Sequence, residues 1–164
     1  MKKFLAVLLL VPALALAQGK VPAKSATYDA QVIRVSDGDT IVIAAPFLPL
    51  PLKPELAVRI YGVDTPEKGH RAQCPQEDQR AQLASKFTTQ ALQSHPKHQV
   101  IIYGWDKFGG RILGDILVNG QSIRQGLISN GLAREYYGDA KQSWCNWLCG
   151  HTSLFLNSKH LTQL

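Results

Sequence analysis

Three short blocks of the sequence hold residues whose types and spacing could do chemistry. The first is Asp37-Gly38-Asp39-Thr40. Carboxylates at a tight turn present hard oxygen donors to Ca²⁺ or Mg²⁺, although an Asp-Gly pair is also an ordinary hairpin turn. Asp37 is the better turn former, and Asp39 opens the next strand. The second block, Arg59-Ile60-Tyr61-Gly62-Val63-Asp64-Thr65-Pro66-Glu67, places one cation and two carboxylates at a strand end. Its bland reading is a surface ion pair followed by a turn. In the third block, Asp106-Lys107-Phe108-Gly109-Gly110-Arg111, a glycine-rich hairpin loop leads to an arginine at a strand start. On its own this is a basic β-turn. Breaking a phosphodiester needs charge neutralisation, a positioned water and stabilised transition-state oxygens. Arginine's planar fork matches phosphate and stays charged, so the three blocks together hold the parts for that chemistry.

The elements that must position them can be read from periodicity. Thr27–Val35 and Thr40–Ala45 are rich in β-branched residues and flank a turn signal, which predicts a hairpin. Pro46, Pro49, Pro51 and Pro54 mark an extended loop. Leu56–Val63 reads as a third strand. Cys74–Ser94 reads as a helix, with Ala81, Leu83, Ala84, Phe87, Ala91 and Leu92 near helical spacing and Pro75 in the first turn. His98–Trp105 and Ile112–Val118 are the fourth and fifth strands. A short helix over Ser122–Ser129 ends at Asn130-Gly131. The expected fold is mainly β with helices (α+β): a five-stranded OB-fold barrel with about three helices, an architecture that commonly binds oligonucleotides.

The ends set the compartment. Lys2 and Lys3, the apolar run Phe4–Ala17 and the small residues before Gln18 have the layout of a secretory signal peptide. Residues 1–17 are therefore expected to be removed, which makes the protein periplasmic or secreted with no membrane anchor. Residues 18–27 form a linker, 28–140 one domain, and 141–164 a partly helical tail. The formal charge of +6 falls to +4 without Lys2 and Lys3, a modest surplus that suits a polyanionic partner or simply solubility. Export also favours a disulfide among Cys74, Cys145 and Cys149. Cys145 and Cys149 would bridge poorly along one helix face, so Cys74–Cys145 is the preferred pair. A zinc site using these cysteines with His70 or His151 is the alternative, without the paired C-x₂-C spacing that would make it specific.

Read in order, Asp-Gly-Asp-Thr, Arg-x₄-Asp-Thr-Pro-Glu, Asp-Lys-Phe-Gly-x-Arg and Gly126-Leu127-Ile128-x-x-Gly131-Leu132-Ala133 closely resemble the staphylococcal nuclease (thermonuclease) family over about Tyr28 to Tyr137. Arg71, Cys74, Glu77 and Trp144-Cys145 resemble a Gram-negative-like exported branch of it. The resemblance implies that Asp39 and Asp64 bind Ca²⁺ through carboxylates and Thr65 through its carbonyl. It implies that Arg59 and Arg111 hold the scissile phosphate and that Glu67 orients or deprotonates the attacking water. Lys107, Phe108 and Tyr137 would contact the substrate, DNA or RNA, leaving 3′-phosphates, and the protein would act as a monomer. The chain departs from the family pattern in three places. Phe108 replaces a usual tyrosine, Gly110 is an extra loop residue, and Asp139 falls near the position of a second aromatic. Two other classes remain as alternatives. A non-catalytic OB-fold nucleic-acid-binding module would have lost an arginine, Glu67 or a metal aspartate, and an exported zinc or redox protein would use the cysteines.

Overall fold

β-Branched runs and one long helical segment set the architecture. The computed structural model describes residues 25–107 and 109–145. Its elements run β1 (Ala26–Ala30), β2 (Val32–Asp37), β3 (Thr40–Ala44), β4 (Glu55–Ile60), β5 (Val63–Asp64), a 3₁₀ turn (Gly69–Arg71) and α1 (Pro75–Ser94). They continue with β6 (His98–Trp105), β7 (Arg111–Val118), β8 (Gln121–Ser122), α2 (Ile123–Ser129) and β9 (Arg134–Glu135). The fold is mixed α+β, a strand-rich sheet with two α-helices among the described residues.

The strand count exceeds the expected five for local reasons. The run Thr27–Val35 breaks at Gln31, because β1 pairs with β6 while β2 pairs with β3. Likewise Leu56–Val63 breaks at Gly62, whose φ of +74° suits a residue without a side chain. Val63 and Asp64 then pair with β9 in a separate ribbon. A third helix in the tail would lie beyond residue 145, outside the described residues.

The main sheet has the order β1-β6-β7-β4-β3-β2, with β8 paired to β7. All its ladders are antiparallel except the parallel one between β4 and β7. The two ends of this path, β1 and β2, are chain neighbours joined through Gln31. The sheet therefore curls, as an OB-like fold requires.

Ile41, Val58, Ile60 and Ile116 are almost wholly buried on its inner face, each worth about 2 kcal/mol of transfer free energy. Ala84, Ala91 and Leu92 of α1 and Ile123 and Leu127 of α2 close this core. The buried face of α1 follows Glu77, Ala81, Ala84, Thr88, Ala91 and Leu92, which corrects the placement of Leu83 on it. Leu83 is 49% exposed, because the i, i+3, i+4 stripe through Ala81 and Ala84 turns it outward.

The small residues of α1 matter for the site. A Cβ on Gly38 would stand 2.7 Å from Ala84 Cβ, so the turn rests directly on the helix. Thr88 Oγ1 donates to the Gly38 carbonyl at 2.7 Å and fixes it there.

Candidate active site

Strand register brings the first two chemical blocks together. Thr40 faces Arg59 across β3 and β4, and the Ile60 N–H donates to the Asp39 carbonyl at 2.8 Å. Asp39 thus lies beside Arg59, whose Nη1 is 3.1 Å from Asp39 Oδ2. Thr40 Oγ1 donates to Oδ1 at 3.0 Å. Burial pushes the Asp39 carboxyl above the ordinary carboxylate range, outweighing Arg59 and the hydroxyls of Thr40 and Thr65.

Asp64 and Thr65 are equally buried at the end of the β5–β9 ribbon. Asp64 Oδ2 accepts the Trp144 indole N–H at 3.0 Å. Oδ1 is buried and is paired with the Lys141 ammonium 2.7 Å away. That ammonium also lies 3.5 Å from Glu67 Oε1. Burial works against the Lys141 charge, but Asp64 and Glu67 prevail and raise its pKa above the usual lysine value.

Glu67 stands on a loop pinned from α1. Buried Glu77 accepts the Glu67 N–H at 3.2 Å and the Gln73 N–H at 2.7 Å. Asp78 accepts the Gly69 N–H at 2.7 Å. Arg71 bridges Glu67 at 3.4 Å and Asp37 at 2.9 Å, and Lys68 reaches Asp37 at 3.2 Å. Asp37 therefore anchors this loop to the turn, while Asp39 faces Arg59.

In the parallel ladder Arg59 is opposite Leu113 and Arg111 opposite Ala57. The two arginines hence share one side of the sheet, with Cα atoms about 8 Å apart from strand spacing and rise. The Arg111 guanidinium is paired with Asp106 of its own loop and is not joined to the Asp39–Asp64 cluster. The Asp106 N–H donates to the Arg111 carbonyl at 3.1 Å, and Gly109 and Gly110 both take φ +69°. The loop absorbs the extra glycine, leaving Arg111 as the first residue of β7. Lys107 is exposed on the same loop, and Phe108 lies outside the described residues. Tyr137 is set apart: its hydroxyl accepts from Arg124 at 2.8 Å, and its ring meets Tyr61 edge-on at 5.8 Å.

Lys141 and Trp144 are the residues that sequence reasoning missed, having been assigned to a tail. They return to the site because Cys145 is disulfide-bonded to Cys74 (S–S 2.16 Å), 71 residues earlier at the head of α1. Arg134 stacks 3.9 Å over the Trp144 ring and donates to the carbonyls of Gln142 and Ser143 at 3.2 Å each. The disulfide also corrects the zinc alternative, since bonded cysteines offer no thiolates; Cys149 lies outside the described residues.

The donor set suits a hard cation. Among the described residues no three His, Cys, Asp or Glu side chains gather to hold an ion alone. Asp39 and Asp64 are two buried carboxylates, hard oxygen donors of the kind Ca²⁺ accepts. The burial of both the Asp39 and the Asp64 carboxylates is the cost that such an ion would offset.

An OB-like sheet carrying arginines beside buried carboxylates suits a nuclease or nucleic-acid-binding fold, the class to which the family match points. The family model described as staphylococcal nuclease homologue matches residues 57–145, more than half of the chain, and the protein belongs to that family. The match spans Arg59, Glu67 and Arg111 and ends on Cys145, so it includes the returning segment; Asp39 lies upstream of it. A search of curated proteins finds no match.

Proposed function

We propose that the protein is an exported, Ca²⁺-dependent phosphodiesterase that hydrolyses DNA and RNA and leaves 3′-phosphates. The observation that carries this reading is that the Asp37–Thr40 turn and the Arg59–Glu67 block meet at β3 and β4, with buried Asp39 paired to Arg59 and buried Asp64 sharing the Lys141 ammonium with the half-exposed Glu67.

Asp39 and Asp64 would hold the ion by carboxylate and Thr65 by its carbonyl. When bound, Ca²⁺ supplies positive charge against the phosphate and a place for water. Arg59 forks onto the non-bridging oxygens, and Arg111 turns from Asp106 to share the charge that grows in the transition state. Glu67 orients the attacking water or takes its proton. Lys107, Phe108 and Tyr137 grip the flanking nucleotides, and the molecule works as a monomer. The signal-like residues 1–17 and the Cys74–Cys145 bond both suit an oxidising destination, periplasmic or extracellular.

The test is an assay of the protein from Gln18 onward on plasmid DNA and on RNA, with Ca²⁺ and with excess chelator. Degradation of both with Ca²⁺ and none with chelator is expected. Undiminished degradation in chelator would remove the metal from the reading.

A further inference from the structure

The segment 141–145 is exposed over Lys141, Gln142 and Ser143, yet it sends one large side chain into the site. Trp144 is 3% exposed, and its only polar hydrogen goes to Asp64 Oδ2 at 3.0 Å. That ring is held from two directions, by Arg134 stacked at 3.9 Å and by the adjoining Cys145 bonded to Cys74. Arg134 is itself the cross-strand partner of Asp64 in the β5–β9 ribbon. The indole, the carboxylate and the strand pair therefore form one closed unit. A carboxylate whose one oxygen is held in this way has its orientation set and presents the other. Oδ1 is that oxygen, and it faces the Lys141 ammonium at 2.7 Å, which also touches Glu67.

We propose that Lys141–Cys145 is a positioning element of the site: Trp144 fixes the Asp64 carboxylate with Oδ1 presented, and Lys141 is a place-holding cation that a divalent ion displaces. The inference rests on the metal reading above and deepens it. Neither residue is catalytic. Trp144 acts through Asp64, as outer partners of a metal-binding carboxylate do, and Lys141 competes for the same oxygen.

The test is calorimetric titration of the full mature protein with Ca²⁺ alone, without nucleic acid, for wild type, Trp144→Phe and Lys141→Met. Phenylalanine keeps the ring under Arg134 and removes the N–H. Trp144→Phe is expected to weaken Ca²⁺ binding by about tenfold or more, and Lys141→Met to tighten it several-fold. Wild-type affinity in Trp144→Phe, or unchanged or weaker affinity in Lys141→Met, overturns this inference while leaving the metal reading intact. Should Trp144→Phe fail to fold, Lys141→Met alone decides between the two outcomes. A wild-type protein that takes up no Ca²⁺ overturns both readings.

Discussion

At the scale of single residues, the division of labour between neighbouring acids is the main result. Asp37 and Asp39 are two positions apart, yet one ties down the Lys68–Arg71 loop and the other faces Arg59. Under the proposed mechanism, Glu67→Gln keeps size and hydrogen bonding but cannot take a proton. It is expected to slow phosphodiester cleavage by about 10²–10⁴-fold, with an unchanged melting temperature, as read from initial rates on plasmid DNA. Arg111→Ala removes a transition-state donor and is expected to cost about 10²–10³-fold in kcat. Because Arg111 now pairs with Asp106, near-wild-type turnover in a folded Arg111→Ala protein would mean that the arginine never leaves that partner.

At the scale of elements, the start of α2 offers a clean electrostatic test. Buried Asp115 accepts the N–H groups of Ile116 at 2.8 Å and Arg124 at 3.2 Å, and the Ser122 hydroxyl. Burial raises its pKa, ahead of the Ser122, Arg124 and Ile116 hydrogen bonds and the Arg124 charge, all of which lower it. The folded state therefore holds this proton longer than the unfolded chain. Its contribution to stability is full in acid and is lost as pH rises through the folded value. Asp115→Asn keeps the acceptor and removes that slope. Relative to wild type, it is expected to gain in urea stability as pH rises above the ordinary aspartate value. Asp115→Ala leaves buried donors unmet and should cost about 1–3 kcal/mol throughout.

Much of this level was legible in the sequence. The limits of β6 and the body of α1 follow from local pattern, with Pro75 opening the helix. The break at Gln31 was not legible, because it is forced by two different strand partners rather than by any local breaker. Leu83 was misplaced because an alanine-rich stripe offers a weak periodic signal beside a single large residue. Trp144 was legible only as part of the Trp144-Cys145 resemblance and not as a site residue, because its contact with Asp64 spans 80 positions. In the site itself, Asp39 and Arg59 were singled out by block order, but their pairing was not legible because it depends on the register of β3 on β4, and Lys141 had no local signal at all.

At the scale of the whole molecule, one covalent link ties the head of α1 to the segment that closes the site. The 71-residue separation of Cys74 and Cys145 makes loop closure worth up to about 4 kcal/mol in the unfolded chain. Reduction, or Cys145→Ser, should lower the melting temperature by about 10 °C or more, measured by thermal melts with and without a thiol. Equal melting curves would show that the bridge adds no stability.

The same link has a topological consequence. It closes a covalent ring that contains the exposed Lys107, Gly109 and Gly110, while Asp39, Arg59, Asp64 and Glu67 all lie on the chain outside it. A single tryptic cut after Lys107 would therefore open the ring without dividing the protein. The nicked molecule should run as one species on a non-reducing gel and as two fragments once the disulfide is reduced. For a single cut inside this ring, cleavage and dissociation are thus separate events, and a protease needs a reductant to divide the chain.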